Sequence, residues 1–226
     1  MADSVFIPSL AERHFEASPT PRHSILIRVT HWINALSFIG LVVSGIGIIL
    51  AHPRFYWGET GGLGTPSLFD LPLPFMLGGP SGWGRYLHFE SAWLCVLNGL
   101  IYAASGFASR HFQRDLAPQR LQLDGLLSND ARSYNPLQRL TYLAVVFLLF
   151  PLMIWTGLAM SPAITSVFPG LVTALGGHQS ARTIHFFGAV VLLLFLFVHV
   201  AMVWRAGFLA RVGTMITGRV ASKERT

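Results

Sequence analysis

The stretch His185-Phe-Phe-Gly-Ala-Val-Val-Leu-Leu-Leu-Phe-Leu-Phe-Val-His-Val-Ala-Met-Val-Trp204 contains no aspartate, glutamate, lysine or arginine. At about 1.5 Å per helical residue, its length matches the roughly 30 Å hydrocarbon core of a bilayer. Its side chains are apolar nearly all the way round, which suits a helix with lipid on one side and packed helices on the other. Residues 32–51, 91–109 and 140–160 repeat the pattern, and with 186–204 they make four candidate crossings. Inside a bilayer the backbone finds no water, so each crossing must satisfy its own hydrogen bonds as a helix. The sequence therefore predicts an all-α, four-helix transmembrane bundle.

Composition supports this reading. The 226 residues are 52% hydrophobic and 12% charged, about half the charge of an ordinary soluble domain. That excludes a soluble enzyme. The net charge of +6 raises the question of nucleic acid, and the placement of the bases answers it. Thirteen of the sixteen fall on one side: Arg13, Arg22 and Arg28; Arg110, Arg114, Arg120, Arg132 and Arg139; Arg205, Arg211, Arg219, Lys223 and Arg225. Arg54, Arg85 and Arg182 fall on the other. This is the positive-inside pattern of a multi-pass membrane protein with both termini cytoplasmic. Anionic lipid, not nucleic acid, accounts for the basic excess. The single cysteine, Cys95, rules out an intrachain disulfide, a thioether-linked haem and a cysteine-held iron–sulfur cluster, and reads as a small packing residue.

The expected organisation is a cytoplasmic tail over residues 1–24, a membrane domain over 25–205 and a basic cytoplasmic tail over 206–226. The tail before the first crossing has no continuous apolar run of the signal-peptide kind. Within the membrane domain lie a long outer loop, 52–84, and a basic inner loop, 110–139. The outer loop is rich in Gly and Pro, yet Phe55, Tyr56, Trp57, Phe69, Phe75 and Trp83 argue against disorder. Those aromatics are expected along the membrane interface or against another subunit.

Four of the nine histidines stand where ionisable groups are costly: His31, His88, His185 and His199. Fourteen residues separate the last two, nearly four helical turns, which sets both rings on one face about 21 Å apart along the axis. The fourth helix runs from outside to inside, so His185 shares the outer level with His88, and His199 shares the inner level with His31. Two imidazoles per level, from different helices, are the donor set of a bis-histidine haem. With no cysteine for a thioether link, two non-covalent b-type haems are implied, with His31, His88, His185 and His199 as both cofactor-binding and metal-ligating residues. His52 competes with His88 as an outer ligand. His14, His23, His111 and His178 read as solvated.

Small residues accompany these positions: Gly40, Ser44, Gly45, Gly47, Gly99, Ser105, Gly106 and Gly188. They fit haem clearances and ordinary helix contacts equally well. Arg28, Arg85 and Arg182 each lie three residues before a candidate ligand, where they would pair with haem propionates or extend to the interface. Glu90 is a candidate proton-exchanging group, and Asn34 with Arg28 a candidate hydrogen-bonding pair for a bound carbonyl, with structural roles as the alternative.

The segment Arg28-Val-Thr-His31-Trp32, the outer His88, and the His185/His199 spacing resemble the bacterial cytochrome b561 and nickel-hydrogenase cytochrome b family. That family includes membrane subunits of formate dehydrogenase and thiosulfate reductase. The resemblance runs from Arg22 to Arg205. It implies a four- or five-helix bundle of the bacterial inner (plasma) membrane, with two b haems, that passes electrons between a quinone pool and a redox partner subunit on the outer, periplasmic face. Carried over by position, His31 and His199 hold the inner haem, and His88 and His185 the outer one. The short tail after the fourth crossing departs from the five-helix form. Residues 51–62 look like the loop of cytochrome b subunits that accompany molybdopterin oxidoreductases, which suggests a docking surface. Two rivals remain at this stage: a self-contained quinone oxidoreductase reacting with an oxidant such as superoxide, and a haem-free transporter or membrane anchor.

Overall fold

The computed structural model describes residues 24–62, 64–73, 82–108, 140, 141 and 143–218. Most of the N-terminal tail, the inner loop 110–139 and residues 219–226 lie outside the described residues, and with them His14, His23 and His111 and ten of the inner-face bases. Phe75 lies outside them as well.

Helix α1 spans Ile25–Ala51, and Ser24 caps it by accepting from the Ile27 N–H at 3.3 Å. It stops at His52 because Pro53 follows: the residue before a proline is pushed out of the helical region, and His52 sits at φ −138° and ψ 69°. Strands β1 (Arg54–Phe55) and β2 (Phe69–Asp70) pair antiparallel, Arg54 opposite Asp70 and Phe55 opposite Phe69. Helix α2 spans Gly82–Ala108. Helical residues 140, 141, 143 and 144 lead into a π-helical turn, Val145–Leu149, and then α3, Phe150–Ala159. Two short helices follow, α4 (Pro162–Thr165) and α5 (Gly170–Thr173). The 28-residue α6 covers His178–Arg205, and α7 covers Phe208–Thr217.

Among the described residues three helices, α1, α2 and α6, are long and apolar enough to cross a membrane. The apolar helix Val145–Ala159 is shorter, and its upstream helical residues bring it to about the 20 a crossing requires. The helical membrane bundle read from the sequence is the architecture observed. The crossings are longer than their charge-free cores, because α1 begins seven residues before Trp32 and α2 nine before Ser91. His31 and His88 therefore stand about two turns inside their helices rather than at the ends.

The bundle is turned inside out relative to a soluble protein. Leu36, Ile39, Leu97, Leu100, Leu194 and Phe197 are exposed to the lipid side, while Thr30, Ser37, Ser44, Ser91, Asn98 and Thr156 are buried between helices. Lipid is as apolar as leucine, so small side chains and interhelical hydrogen bonds hold such helices together. The Asn98 amide donates to the Thr30 carbonyl at 2.7 Å and to Asn34 Oδ1 at 2.8 Å, tying α2 to α1. Helix α1 packs along α2, and the third helix packs along α6. Between these two pairs runs a wider seam where the backbones stay apart.

The outer loop folds back on the first turns of α6. Phe55 is 2% exposed; its ring stacks on Phe69 at 4.7 Å and meets Phe186 at 4.5 Å. Thr183 Oγ1 donates to the Tyr56 carbonyl at 2.7 Å, and the Gly58 N–H donates to Ser180 Oγ at 2.8 Å. The Gly58 carbonyl accepts from the backbone N–H groups of Gln179 and Ser180, which begin α6 and have no partner within it. Of the aromatics expected at an interface, Phe55 and Tyr56 are thus buried within the chain, and Trp57 and Trp83 are exposed. His178, expected in a solvated turn, is the first residue of α6, with its N–H donating to Glu59 Oε2 at 3.3 Å.

The tail after the fourth crossing is not irregular throughout. Gly207, at φ 93°, turns the chain, and α7 then folds back against the start of α1. Arg28 Nη1 donates to the Ile216 carbonyl at 2.7 Å, and Trp32 Nε1 to the Met215 carbonyl at 3.2 Å. Carbonyls at the end of a helix lack intrahelical partners, and these two side chains supply them. With ten residues, α7 is too short to cross the bilayer.

Candidate functional site

Two pairs of imidazoles face each other across the seam. His31 on α1 and His199 on α6 have ring centroids 6.4 Å apart; His88 on α2 and His185 on α6 are 6.2 Å apart. A metal–imidazole bond is about 2.0 Å, and the donor nitrogen lies about 1.1 Å from its ring centre, so two imidazoles that share one metal from opposite sides would have centroids about 6.2 Å apart. Both pairs match that separation. Their interplanar angles, 54° and 62°, are compatible with it, because two axial rings are free to rotate about the common axis. Among the described residues no three His, Cys, Asp or Glu side chains cluster to hold a metal by themselves. Two imidazoles per level suit a metal whose remaining donors come from a macrocycle.

The outer pair has a defined hydrogen-bonding surround. Ser44 Oγ on α1 lies 3.0 Å from His88 Nδ1, and Thr156 Oγ1 on α3 lies 2.8 Å from His185 Nδ1. Each hydroxyl has one proton, and each donates it to its own helix: Ser44 to the Gly40 carbonyl at 2.6 Å, Thr156 to the Leu152 carbonyl at 2.8 Å. The hydroxyl oxygens are thereby placed to accept from Nδ1–H, in the tautomer that leaves the Nε2 lone pair available to a metal. At the inner level the Phe195 ring stacks on His199 at 6.0 Å. An open apolar groove of about 410 Å³, lined by Val145, Leu149, Val191 and Phe195 among others, runs between the third helix and α6.

The small residues divide by what a side chain would meet. A Cβ on Gly40 would run into Ser91, one on Gly188 would approach Met153 Sδ to 2.6 Å, and one on Gly47 would touch Trp83 at 3.4 Å. These three are helix-contact positions. Gly45 faces His88 Cε1 at 3.9 Å, and Gly99 faces open space. Gly157 faces His185 Cε1 at 3.8 Å. Gly157 and Thr156 were not legible in the sequence, since nothing marks a Thr-Gly pair in an apolar helix as facing a histidine on another.

The remaining candidates are committed elsewhere or stand apart. His88, not His52, stands opposite His185. His52 is held below the ordinary histidine range by partial burial and then by the charges of Arg182 and Arg85. The Arg182 guanidinium donates to the His52 carbonyl and covers the Phe55 ring at 4.9 Å. Arg28 is engaged with α7, and Asn34 accepts from Asn98. Glu90 is exposed and lies about 200° around α2 from His88.

Residues 22–218 match the family described as prokaryotic cytochrome b561. This chain belongs to that family. Two relatives agree with the assignment. A protein provisionally named protein-methionine-sulfoxide reductase subunit YedZ1, from Azospira oryzae, is 34% identical over 196 residues, covering 80% of this chain and 89% of that protein. A protein provisionally named Ni/Fe-hydrogenase B-type cytochrome subunit, from Cupriavidus necator, is 27% identical over 220 residues, covering 85% and 83%. This cytochrome b561 is accordingly an integral membrane protein of haem b electron transfer, and the family resemblance read from Arg28, His31, His88, His185 and His199 led to the right place.

Proposed function

We propose that this cytochrome b561 carries electrons between the quinone pool and a redox partner subunit on the outer face of the bacterial inner membrane, through two b-type haems. His31 and His199 hold the inner haem, and His88 and His185 the outer one. The observation that carries this reading is the repeated 6.2–6.4 Å separation of facing imidazoles at two levels of one seam. Haem iron, when bound, supplies reversible one-electron chemistry at a potential set by its surroundings. The chain contributes everything else: four neutral imidazoles, a lipid-facing apolar shell that excludes water, and a spacing of about 21 Å along α6 that links the two faces.

The open apolar groove that Phe195 lines, next to the ring of His199, suits the isoprenoid tail of a quinone. The outer cap, with Trp57 60% exposed next to the stapled Phe55 and Tyr56, suits a docking partner. The two relatives are each named as a subunit, one of a reductase and one of a hydrogenase, which supports a partner; the loop over residues 51–62 favours one of the molybdopterin class. The deciding experiment is haem content by variant. His199→Ala and His185→Ala should each halve the reduced α-band of the purified protein, and the double variant should abolish it. Full haem content in either single variant would overturn the two-haem assignment.

A further inference from the structure

We infer that Ser44 and Thr156 are positioning residues of the outer haem, which fix the tautomer of both its ligands and hold its reduction potential down. The inference rests on the assignment of His88 and His185 as ligands. Ser44 and Thr156 come from different helices, α1 and α3, and each presents its hydroxyl to Nδ1 of a histidine on a different helix again. Both are fully buried, at 0% exposure. The two sites repeat one local device. Each hydroxyl bonds back to the carbonyls four and three residues earlier, Gly40 and Leu41 for Ser44, Leu152 and Met153 for Thr156. Such a serine or threonine has spent its proton within its own helix and offers only lone pairs outward. A glycine stands beside each one in sequence, Gly45 and Gly157, and each faces Cε1 of the same imidazole. Hydroxyl and glycine together hold the ring in one orientation and leave its Nε2 side free.

The electrochemical consequence follows from ligand basicity. An imidazole whose Nδ1–H is held by an acceptor is a stronger donor at Nε2. A stronger donor favours ferric over ferrous iron and lowers the potential. Ser44 and Thr156 do this twice, once on each face of the same haem.

The test is a potentiometric titration of the full-length protein in detergent, with haem content measured on the same sample. Ser44→Ala and Thr156→Val should each move one of the two midpoint potentials in the positive direction and leave the other in place, with the double variant moving it further. The low-spin electron paramagnetic resonance signal of that haem should shift with it. Ser44→Thr and Thr156→Ser retain the hydroxyl and should keep the wild-type potential. Two haems with both potentials unmoved in the deletion variants would overturn the inference, because the backbone carbonyls nearby would then suffice as acceptors. If a deletion variant loses the haem, the conservative pair decides: wild-type potential supports the hydroxyl, and a displaced one refutes it. A wild-type protein with fewer than two haems would instead refute the ligand assignment on which the inference stands.

Discussion

Gly177 shows how a single backbone position fastens the outer surface. It sits at φ 115°, a region that side chains with a Cβ rarely adopt, and a Cβ there would collide with the backbone of Gly58 and Glu59. The close approach is what lets the Gly58 carbonyl reach the first N–H groups of α6. Gly177→Ala should therefore cost about 1–3 kcal/mol, visible as a lower midpoint in thermal unfolding followed by circular dichroism. An unchanged midpoint would mean the loop does not depend on this contact. The histidines were legible at this scale because an ionisable group in an apolar run is rare and costly. Their hydroxyl partners were not, since serine and threonine are ordinary in membrane helices and only a neighbouring helix gives them a role.

Among the elements, the outer loop is the one whose character changed most between sequence and structure. Its Gly and Pro content predicts an irregular segment, and its aromatics an external contact. In the fold the aromatics separate: Phe55 is an internal anchor under Arg182 and between Phe69 and Phe186, while Trp57 remains outside. Phe55→Ala should free the loop, at a cost of about 3 kcal/mol, and raise its sensitivity to protease added at the outer face. Trp57→Ala should leave the loop closed and the haem content intact, and reduce co-purification of the partner subunit from native membranes. Equal effects of the two substitutions on partner recovery would argue that the loop's closed form, rather than the exposed indole, makes the contact. The surface ion pair of Arg54 and Asp70, half exposed at 3.5 Å, adds little to the closure. Helix α7 was not anticipated either. Gly207 and Gly218 bracket it with positive φ, but the arginines around it read first as a charged tail.

At the scale of the whole molecule, orientation comes from the basic residues and depth from the histidines. If the positive-inside reading holds, Thr226→Cys should be labelled by a membrane-impermeant maleimide only after inverted vesicles are prepared, and Trp57→Cys only from the outer side of intact spheroplasts. Labelling of both positions from one side would contradict the positive-inside reading. Cys95, on α2 within the membrane, is the sole native thiol and can be replaced for this measurement. The two histidine levels and the two membrane faces would then share one frame, in which the proposed partner docks on the side of His88 and His185.

The sequence by itself determined the crossings and the level of each histidine, because bilayer thickness and helical pitch are fixed lengths that act on consecutive residues, and its motifs carried the family resemblance. Tertiary structure alone decided that His88 rather than His52 faces His185, which glycines lie beside the imidazoles, and which hydroxyls approach Nδ1. Those depend on the rotation and lateral pairing of helices, and in lipid, where hydrophobicity does not distinguish one helix face from another, small-residue contacts and a few hydrogen bonds choose that pairing.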